Sequence, residues 1–492
     1  MSKNEKIKNL VQLVLMISIT FLIQLLMIMK TSVVAGKFGI SEEMDAYNFS
    51  NNIATFITGM VSSGMTTVII PAYLKKKKKK SLNTFVTVVY GIILVLMSII
   101  IIFRKPLINI FSNRSEVFIE TSSNLLIILF TTQFLSIITG VTDAFFQCRN
   151  DYNKPKVINL ISQSLVVFSL VFYPKINIYN YTIILSAGIL INLIVNIIFA
   201  VFDGFRYKIC LEFKDAEYRQ MINIFIPTIF SSGIYRLSLL IDSVISSNLD
   251  SGKLSILNYS NQIINMINTL LIGNLLIYIY PKIIRKLREN EDQKSFWDYT
   301  IFFHMIICLV IVVFFIIGKE GIILLFQRGE FTYDITKYVF LCSSIYIIGQ
   351  QSNVIRDLIY RYFYAVGDTK TTVKNSIMVS IVNIITSIIL VNVLGLYGVI
   401  LGTVIASFVS LISIMIKFDK KFKIDISKTM LITEYAKNIL SLLITFGIIL
   451  FIKNSLVINN IILNIIFYGI LTASIFVLIL FIFKSRVFKV DI

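Results

Sequence analysis

The chain has 492 residues, of which 56% are hydrophobic and 15% are charged. Soluble domains are about 45–50% apolar and about 25% charged, so this composition excludes a soluble enzyme. Only six prolines and 21 glycines are present, which excludes a collagen-like or disordered chain. The formal net charge of +19 would suggest a nucleic-acid partner in a soluble protein. In a membrane protein the same excess indicates loops on the cytoplasmic side, and we predict no nucleic-acid binding.

Fourteen stretches of the chain are apolar and long enough to cross a bilayer, which takes about 20 residues. The first is too long for a signal peptide and is predicted to be a retained membrane helix. Counts of twelve or thirteen are the alternatives. In chain order the predicted spans are 9–30, 47–74, 84–103, 119–147, 157–173, 181–202, 221–247, 257–281, 298–317, 335–365, 376–393, 396–416, 434–452 and 458–483.

The basic residues support this count, because cytoplasmic loops carry an excess of Lys and Arg. With the N-terminus inside, 32 of the 46 basic residues fall in inner segments and 11 in outer segments. The other three are Arg236, Arg356 and Arg361, which lie within spans. Both termini are therefore predicted to be cytoplasmic. The lysine run at 75–80 is predicted to be a solvated inner loop, with attraction to anionic lipid as the alternative.

An internal repeat links the second and eighth spans. Residues 48–53 (NFSNNI) resemble 258–263 (NYSNQI) at an offset of 210 residues. An interval of six spans gives both copies the same orientation, as in transporters that rock two lobes. Chance similarity in a chain rich in Ile and Asn is the alternative. A weaker echo joins the fourth and tenth spans, where Phe146 and Asp151 match Phe363 and Asp368.

The two repeat-related spans are also unusually polar. The second carries Asn51 and Asn52, and the eighth carries Asn261 and Gln262, among many Ser, Thr and Asn residues. Polar and charged groups at bilayer depth usually face a bundle interior or a water-filled cavity. We therefore expect a hydrated cleft between two lobes. Hydrogen bonding that holds helices together is the alternative.

Motifs for catalysis are absent from the sequence. There is no Walker-type phosphate loop, no HExxH and no recognisable triad. None of the four cysteines is in a CxxC pair, and the single histidine, His304, cannot complete a zinc site with them. We predict that the protein is not an enzyme. Any work must come from an ion gradient, the membrane potential or a downhill substrate.

Three segments carry a resemblance to a known family. They are 30–47 (KTSVVAGKFGISEEMDAY), 325–332 (LFQRGEFT) and 356–374 (RDLIYRYFYAVGDTKTTVK). The chain resembles the MurJ/MviN family of lipid II flippases, in the superfamily that also contains the MATE exporters. The resemblance implies an all-α polytopic membrane protein with two six-helix lobes in parallel repeat. It places the lobes at 1–220 and 221–430, and two further helices at 431–492 that form a groove for a prenyl tail.

The resemblance implies a flippase that moves an undecaprenyl-pyrophosphate-linked glycan from the inner to the outer leaflet by alternating access. Its anionic headgroup needs cations in the cavity. Lys30 stands at a family arginine, so it keeps the charge but loses the bidentate fork, while Asn261 and Gln262 replace a charged pair. Arg328 and Glu330 are expected to shape an outer loop or gate. The predicted substrate-binding residues are Lys30, Asp45, Asn51, Asn52, Arg236, Asn261, Gln262, Arg356 and Arg361.

Some family members carry a sodium site, and four residues match that pattern: Asp242, Asn383, Val399 and Thr403. A carboxylate, an amide, a hydroxyl and a carbonyl are oxygen ligands suited to a hard cation. Ser387 stands where a second carboxylate would be. No other cofactor is expected, and Na⁺ or the membrane potential is expected to supply the coupling. A structural contact between Asp242 and Arg236 is the alternative.

Three other functions compete with lipid II flipping. The uncharged pair at Asn261 and Gln262 favours a relative that exports another lipid-linked glycan, of capsule or teichoic type. A small-molecule cation antiporter and a membrane scaffold are weaker alternatives. The expected partners are the lipid-linked glycan, membrane lipids and proteins of cell-wall synthesis. The expected location is the bacterial inner (plasma) membrane.

Overall fold

The structure is a computed structural model that describes residues 3–74, 79–149, 151, 153–173, 175–273, 293–366, 368–422 and 427–489. Over these residues the fold is all-α and contains no strand. The chain divides into two compact units, Met1–Ser255 and Ile256–Ile492.

The first unit is built on a long helix pair, α2 and α8, which pack against each other. Helix α5 packs on α2 and α7, and α6 packs on α1 and α7. Side-chain caps define several helix starts: Ser115, for example, accepts a hydrogen bond from the backbone N–H of Phe118 at 3.1 Å. The helices are α1 (Lys3–Phe38), α2 (Glu42–Leu74), α3 (Lys79–Ile102), α4 (Arg104–Phe111), α5 (Glu116–Cys148), α6 (Asn153–Phe172), α7 (Ile178–Phe202) and α8 (Ala216–Ser247).

The second unit begins within α9, which continues as a π-helical turn over Asn268–Gly273. Helix α13 packs on α11 and α12, and α10 packs on α11, α14 and α15. A short 3₁₀ turn over Arg486–Lys489 follows the last helix. The helices are α9 (Lys253–Ile267), α10 (Gln293–Phe326), α11 (Tyr333–Ala365), α12 (Thr369–Leu394), α13 (Leu396–Phe422), α14 (Lys428–Ser455) and α15 (Ile461–Ile482).

Polar contacts bind the last two helices to α10. Asn438 Nδ2 lies 3.2 Å from Nδ1 of His304 in the buried centre of the contact. Towards one end, Lys453 donates to Glu320 at 2.7 Å. At the other end, Arg486 Nε donates to Asp298 at 2.6 Å. The last two helices are therefore held in the second unit by specific hydrogen bonds.

Each of the fourteen predicted spans is largely helical where it is described. The eighth span coincides with the 15-residue α9 and its π-helical turn, and its residues 274–281 lie outside the described residues. Phe103, Tyr173 and residues 458–460 lie in spans but outside helices. Within the described part, ten helices are long and apolar enough to cross a membrane. Helices α2, α8 and α11, each longer than 30 residues, are not in that set, and all three are rich in Ser, Thr, Asn or Gln.

Hydrogen bonds at matched positions support the internal repeat. Ser50 Oγ donates to the carbonyl of Ser122 at 2.8 Å, and Ser260 Oγ donates to that of Val339 at 3.4 Å. The end of α5 and the end of α11 also share one turn, since the N–H of Asp151 donates to Phe146 O at 3.0 Å and that of Asp368 donates to Phe363 O at 2.9 Å. The lobe boundaries at 1–220, 221–430 and 431–492 stay a prediction. Helix α8, which that division assigns to the second lobe, packs in the first compact unit.

Candidate functional site

The α2–α8 contact brings together two of the predicted substrate-binding residues. Asn52 Nδ2 donates to Ser243 Oγ of α8 at 2.9 Å. About two turns earlier in α8, the Arg236 guanidinium crosses α2 at Gly59. A Cβ at residue 59 would lie only 2.1 Å from Arg236 Nη1, so a side chain there would displace the guanidinium from this position. Asn51 lies beside Asn52 and is half-buried.

Lys30 lies on a different helix pair. It is half-buried on α1, and α1 packs mainly against α6, whereas Asn52 and Arg236 belong to the α2–α8 contact. The structure therefore distributes the predicted cations of the first unit over two helix pairs. Their joint role in binding a headgroup stays a prediction.

Asp45 sits in a dense hydrogen-bond network at the start of α2, and its side chain is buried. Oδ1 accepts from the N–H and the hydroxyl of Ser255, at 2.8 and 2.7 Å. Oδ2 accepts from the N–H of Gly252 at 2.7 Å. Gly252 has a φ of +86°, a conformation that favours glycine. In this conformation the carboxylate holds the loop between α8 and α9, and substrate contact by Asp45 remains a prediction.

Arg114 completes this network, and the sequence analysis missed it. Its Nη1 donates to the carbonyl of Leu249 at 2.9 Å. Its Nη2 lies 3.6 Å from Asp45 Oδ2 and 3.7 Å from Glu42 Oε1. The guanidinium also lies 5.2 Å from the ring centroid of Phe118. Arg114 is in a loop between α4 and α5, far from Asp45 in sequence, so no local spacing could have indicated the pairing.

In the second unit the predicted substrate-binding residues lie on α9 and α11. Asn261 Oδ1 accepts from Asn265 Nδ2 at 3.2 Å, and Gln262 is half-buried beside it. On α11, Arg356 bonds Asp357 Oδ1 through Nε at 3.1 Å and Nη2 at 2.9 Å. Arg361, one and a half turns later, is half-buried.

The two predicted gate residues lie just after α10. Arg328 Nη2 donates to the carbonyl of Leu325 at 2.7 Å, and so caps the end of that helix. Glu330 is exposed, and the next residue, Phe331, is buried. Arg328 thus holds the start of this loop, and a gating function stays a prediction.

Part of the predicted cation set lies together on α12 and α13. Ser387 Oγ lies 3.4 Å from Asn383 Oδ1 and 3.4 Å from the carbonyl of Val399, and Thr403 Oγ1 donates to that carbonyl at 3.4 Å. Asp242 is buried on α8 in the first unit. Among the described residues there is no cluster of three or more His, Cys, Asp or Glu residues that could hold a metal. A cation site built on amide, hydroxyl and carbonyl oxygens stays a prediction.

Sequence reasoning also missed a polar cavity of about 450 Å³ inside the first unit. Its walls come from α1, α5, α6 and α7. A sequence signal was present, because polar residues repeat along one face of α5 at helical spacing. They are Ser136, Thr139, Asp143 and Gln147.

A family model for the lipid II flippase MurJ matches residues 34–472. A probable lipid II flippase MurJ of Borreliella burgdorferi is 21% identical over 463 residues, which cover 90% of each chain. The Thermotoga maritima protein of the same name is 24% identical over 431 residues, covering 84% of this chain and 87% of the relative. The match to the Rickettsia prowazekii protein of that name, at 24% identity, spans about half of each chain.

Solved structures give the same picture of the fold. A lipid II flippase MurJ in an inward closed conformation superposes with a TM-score of 0.78 at 21% identity, covering 96% of this chain and 99% of that one. An inward-facing MATE family multidrug resistance transporter superposes with a TM-score of 0.60 at 15% identity, covering 80% and 94%. The all-α, two-lobed type of fold expected from the sequence is therefore confirmed.

Proposed function

Because the chain belongs to the lipid II flippase MurJ family, we propose that it carries a lipid II-like, undecaprenyl-pyrophosphate-linked glycan from the inner to the outer leaflet by alternating access. It is a multi-pass membrane protein and a transporter rather than an enzyme. The observation that carries the proposal is the polar α2–α8 contact. There, the Arg236 guanidinium lies over Gly59 and Asn52 bonds Ser243, in two helices flanked by apolar ones.

The chemistry of such a substrate fits these groups. A pyrophosphate carries negative charge and many acceptor oxygens, so Arg and Lys are suitable ligands for it. Charged side chains at bilayer depth are costly unless they serve a hydrated path or a partner. In the proposal, Lys30 and Arg236 engage the pyrophosphate and Asn51 and Asn52 contact the sugars. Arg356, Arg361, Asn261 and Gln262 are proposed as further headgroup contacts, and the prenyl tail stays in lipid beside α14 and α15.

A second candidate differs only in the glycan. Asn261 and Gln262 are uncharged where the family places a charged pair, so α9 offers fewer charges to a pyrophosphate. An exporter of another lipid-linked glycan, of capsule or teichoic type, would need fewer of them. Cell-wall synthesis proteins are the expected partners in either case. We also propose the bacterial inner membrane as the location, with both termini in the cytoplasm.

Complementation of a bacterial strain depleted of its lipid II flippase tests this proposal. The intact chain should restore growth and the appearance of lipid II on the outer leaflet. Lys30→Ala should abolish rescue, and Lys30→Arg should retain it, because the proposed role depends on a cation. Lys105→Ala serves as the matched control, since Lys105 is exposed on α4.

Two results would contradict parts of the proposal. If the intact, membrane-inserted chain does not rescue, lipid II is not its substrate and the second candidate takes precedence. If Lys30→Ala rescues as well as the intact chain, the assignment of Lys30 to the headgroup is wrong.

Asp45→Ala should also lose rescue, but through a lower melting temperature, because it removes three hydrogen bonds to Gly252 and Ser255.

We propose Na⁺ as the coupling ion, with the membrane potential as the alternative. Asn383, Val399 and Thr403 would supply neutral oxygen ligands and Asp242 the single carboxylate. Sodium should raise the melting temperature of the intact chain relative to the same concentration of choline. Asp242→Asn should remove that rise, and an equal response to both salts would exclude this site.

A further inference from the structure

The cavity between α1, α5, α6 and α7 lies wholly within the first unit and apart from the α2–α8 face. Its volume of about 450 Å³ falls in the range of about 300–1,000 Å³ typical of small-ligand sites. That volume is far more than a single water molecule needs, about 30 Å³. The cavity therefore has room for an organic ligand.

One carboxylate in this cavity lacks a complete set of partners. Asp143 Oδ1 is buried and has no hydrogen-bond partner. A buried acceptor without a donor is unfavourable by about 1–3 kcal/mol, more when it is charged, so native proteins rarely leave one unused. Asp45 in the same unit shows the contrast, because its two oxygens accept three hydrogen bonds. Asp143 lines the cavity, and its carboxylate lacks donors that a ligand with its own N–H or O–H groups would supply.

A cation faces the same cavity. Lys156 donates to Thr20 Oγ1 of α1 at 2.6 Å, which fixes the position of its ammonium group. A lysine ammonium has three N–H donors, so two remain for another acceptor. The cavity wall also carries neutral amides, among them Asn159, Gln163 and Asn192, next to apolar residues such as Met16 and Ile189. One negative and one positive group among amides match a ligand with one ammonium and one anionic group, whereas a bare cation would meet Lys156.

The positions of Asp143 and Lys156 along their helices indicate from which side a ligand would enter the cavity. Asp143 is five residues before the end of α5, and Lys156 is three residues after the start of α6. At about 1.5 Å per residue, both lie within about 8 Å of the helix ends. Both charges therefore lie near the same end of the α5–α6 hairpin, where a lipid headgroup or a dissolved ligand is within reach. The hydroxyls of Ser136 and Thr139 lie one to two turns deeper.

We propose that this cavity binds a phosphorylated primary amine, with its ammonium on Asp143 and its phosphate on Lys156. Free phosphoethanolamine and the headgroup of phosphatidylethanolamine share this chemistry. The proposed site shares no residue with the proposed headgroup ligands, so its test does not depend on the flipped substrate.

The test measures the melting temperature of the full chain in nanodiscs. One set contains phosphatidylethanolamine with phosphatidylglycerol, and the other replaces the first lipid with phosphatidylcholine at the same anionic fraction. The quaternary ammonium of phosphatidylcholine has no N–H to donate to Asp143. We expect a higher melting temperature in phosphatidylethanolamine that rises with its fraction, as ligand linkage requires.

Free phosphoethanolamine added to the phosphatidylcholine nanodiscs distinguishes the two sources. Stabilisation by the lipid alone identifies the headgroup, and stabilisation by both shows that a free ligand also enters. Asp143→Asn and Lys156→Gln should each weaken the response about tenfold or more, because each removes a charge-assisted hydrogen bond. Asp143→Glu should keep it. Asp334→Asn and Lys105→Ala, at exposed positions, are the matched controls.

Equal melting temperatures in the two lipid mixtures, with no effect of phosphoethanolamine, would overturn the proposal. So would an undiminished response in Asp143→Asn. If that variant does not fold, Lys156→Gln and the two lipid mixtures with the intact chain decide the matter alone.

Discussion

The hairpin of α5 and α6 in the first unit and that of α11 and α12 in the second share a backbone plan but differ in their polar interiors. Both contain the Asp-to-Phe turn bond, and both pair that aspartate with a lysine: Asp151 with Lys154 at 3.0 Å, and Asp368 with Lys421 at 2.5 Å. The offset of 217 residues between these turns also places Tyr360 at the position of Asp143.

In the second hairpin, hydrogen-bonded side chains occupy the region that corresponds to the cavity of the first. Asn375 Nδ2 donates to Tyr360 Oη at 3.0 Å and to Ser410 Oγ at 3.0 Å, and its Oδ1 accepts from Lys417 at 3.1 Å. In the first hairpin, Asp143 lines the cavity, and its buried Oδ1 has no hydrogen-bond partner. Two copies of one backbone arrangement can therefore serve different purposes. A few side chains decide whether the buried polar groups hydrogen-bond to one another or line a cavity that a ligand can enter.

The largest expected effect comes from breaking the filled hairpin. Asn375→Leu leaves Lys417, Tyr360 and Ser410 without their shared partner at a fully buried position. We expect the free energy of unfolding to fall by about 3 kcal/mol, in line with the loss of several buried hydrogen bonds. Denaturant titration in detergent measures it. Asn159→Leu at the open cavity is the comparison and should change stability by under about 1 kcal/mol; equal losses would refute the contrast.

A smaller effect should follow from converting the open hairpin into the filled one. Asp143→Tyr combined with Asn159→Ser introduces the side chains that Tyr360 and Ser376 supply in the second unit, where they lie 3.3 Å apart. The pair should occupy the cavity and remove an unpartnered carboxylate, so the change in unfolding free energy should stay within about 1.5 kcal/mol. The response to phosphatidylethanolamine should disappear. A response that persists would show that the ligand binds elsewhere.

The smallest effect concerns the lysine–aspartate pair at the second turn. The Lys421 ammonium, together with the Thr371 hydroxyl, lowers the pKa of Asp368 from its ordinary 3.8 to about 2. A carboxyl group with a lowered folded pKa stabilises the fold above its unfolded pKa, and this contribution is lost as the pH falls from about 4 to about 2. Melting curves over that range should fall more steeply for the intact chain than for Asp368→Asn. Exposed Asp334→Asn is the control, and parallel curves for all three would refute the role.

Much of the architecture followed from local sequence. A run of about 20 apolar residues becomes a helix in lipid because its backbone groups must bond internally, so spans can be counted without tertiary information. The repeat was also visible, since residues 48–53 and 258–263 match, and Ser50 and Ser260 make equivalent hydrogen bonds. The polarity of α2 likewise marked the contact where Asn52 meets Ser243.

The pairing of the charged groups was decided by the tertiary structure alone. Asp45 and Asp143 are both aspartates near helix ends, yet one is saturated by Gly252 and Ser255 and the other lines a cavity. The donors to Asp45 come from more than 200 residues away, and Arg114 reaches it from a separate loop. Hydrophobic content specifies which residues enter the membrane, and the helical period specifies which residues share one face of a helix. They carry no information on which distant donor meets a given acceptor, because that depends on how the helices pack.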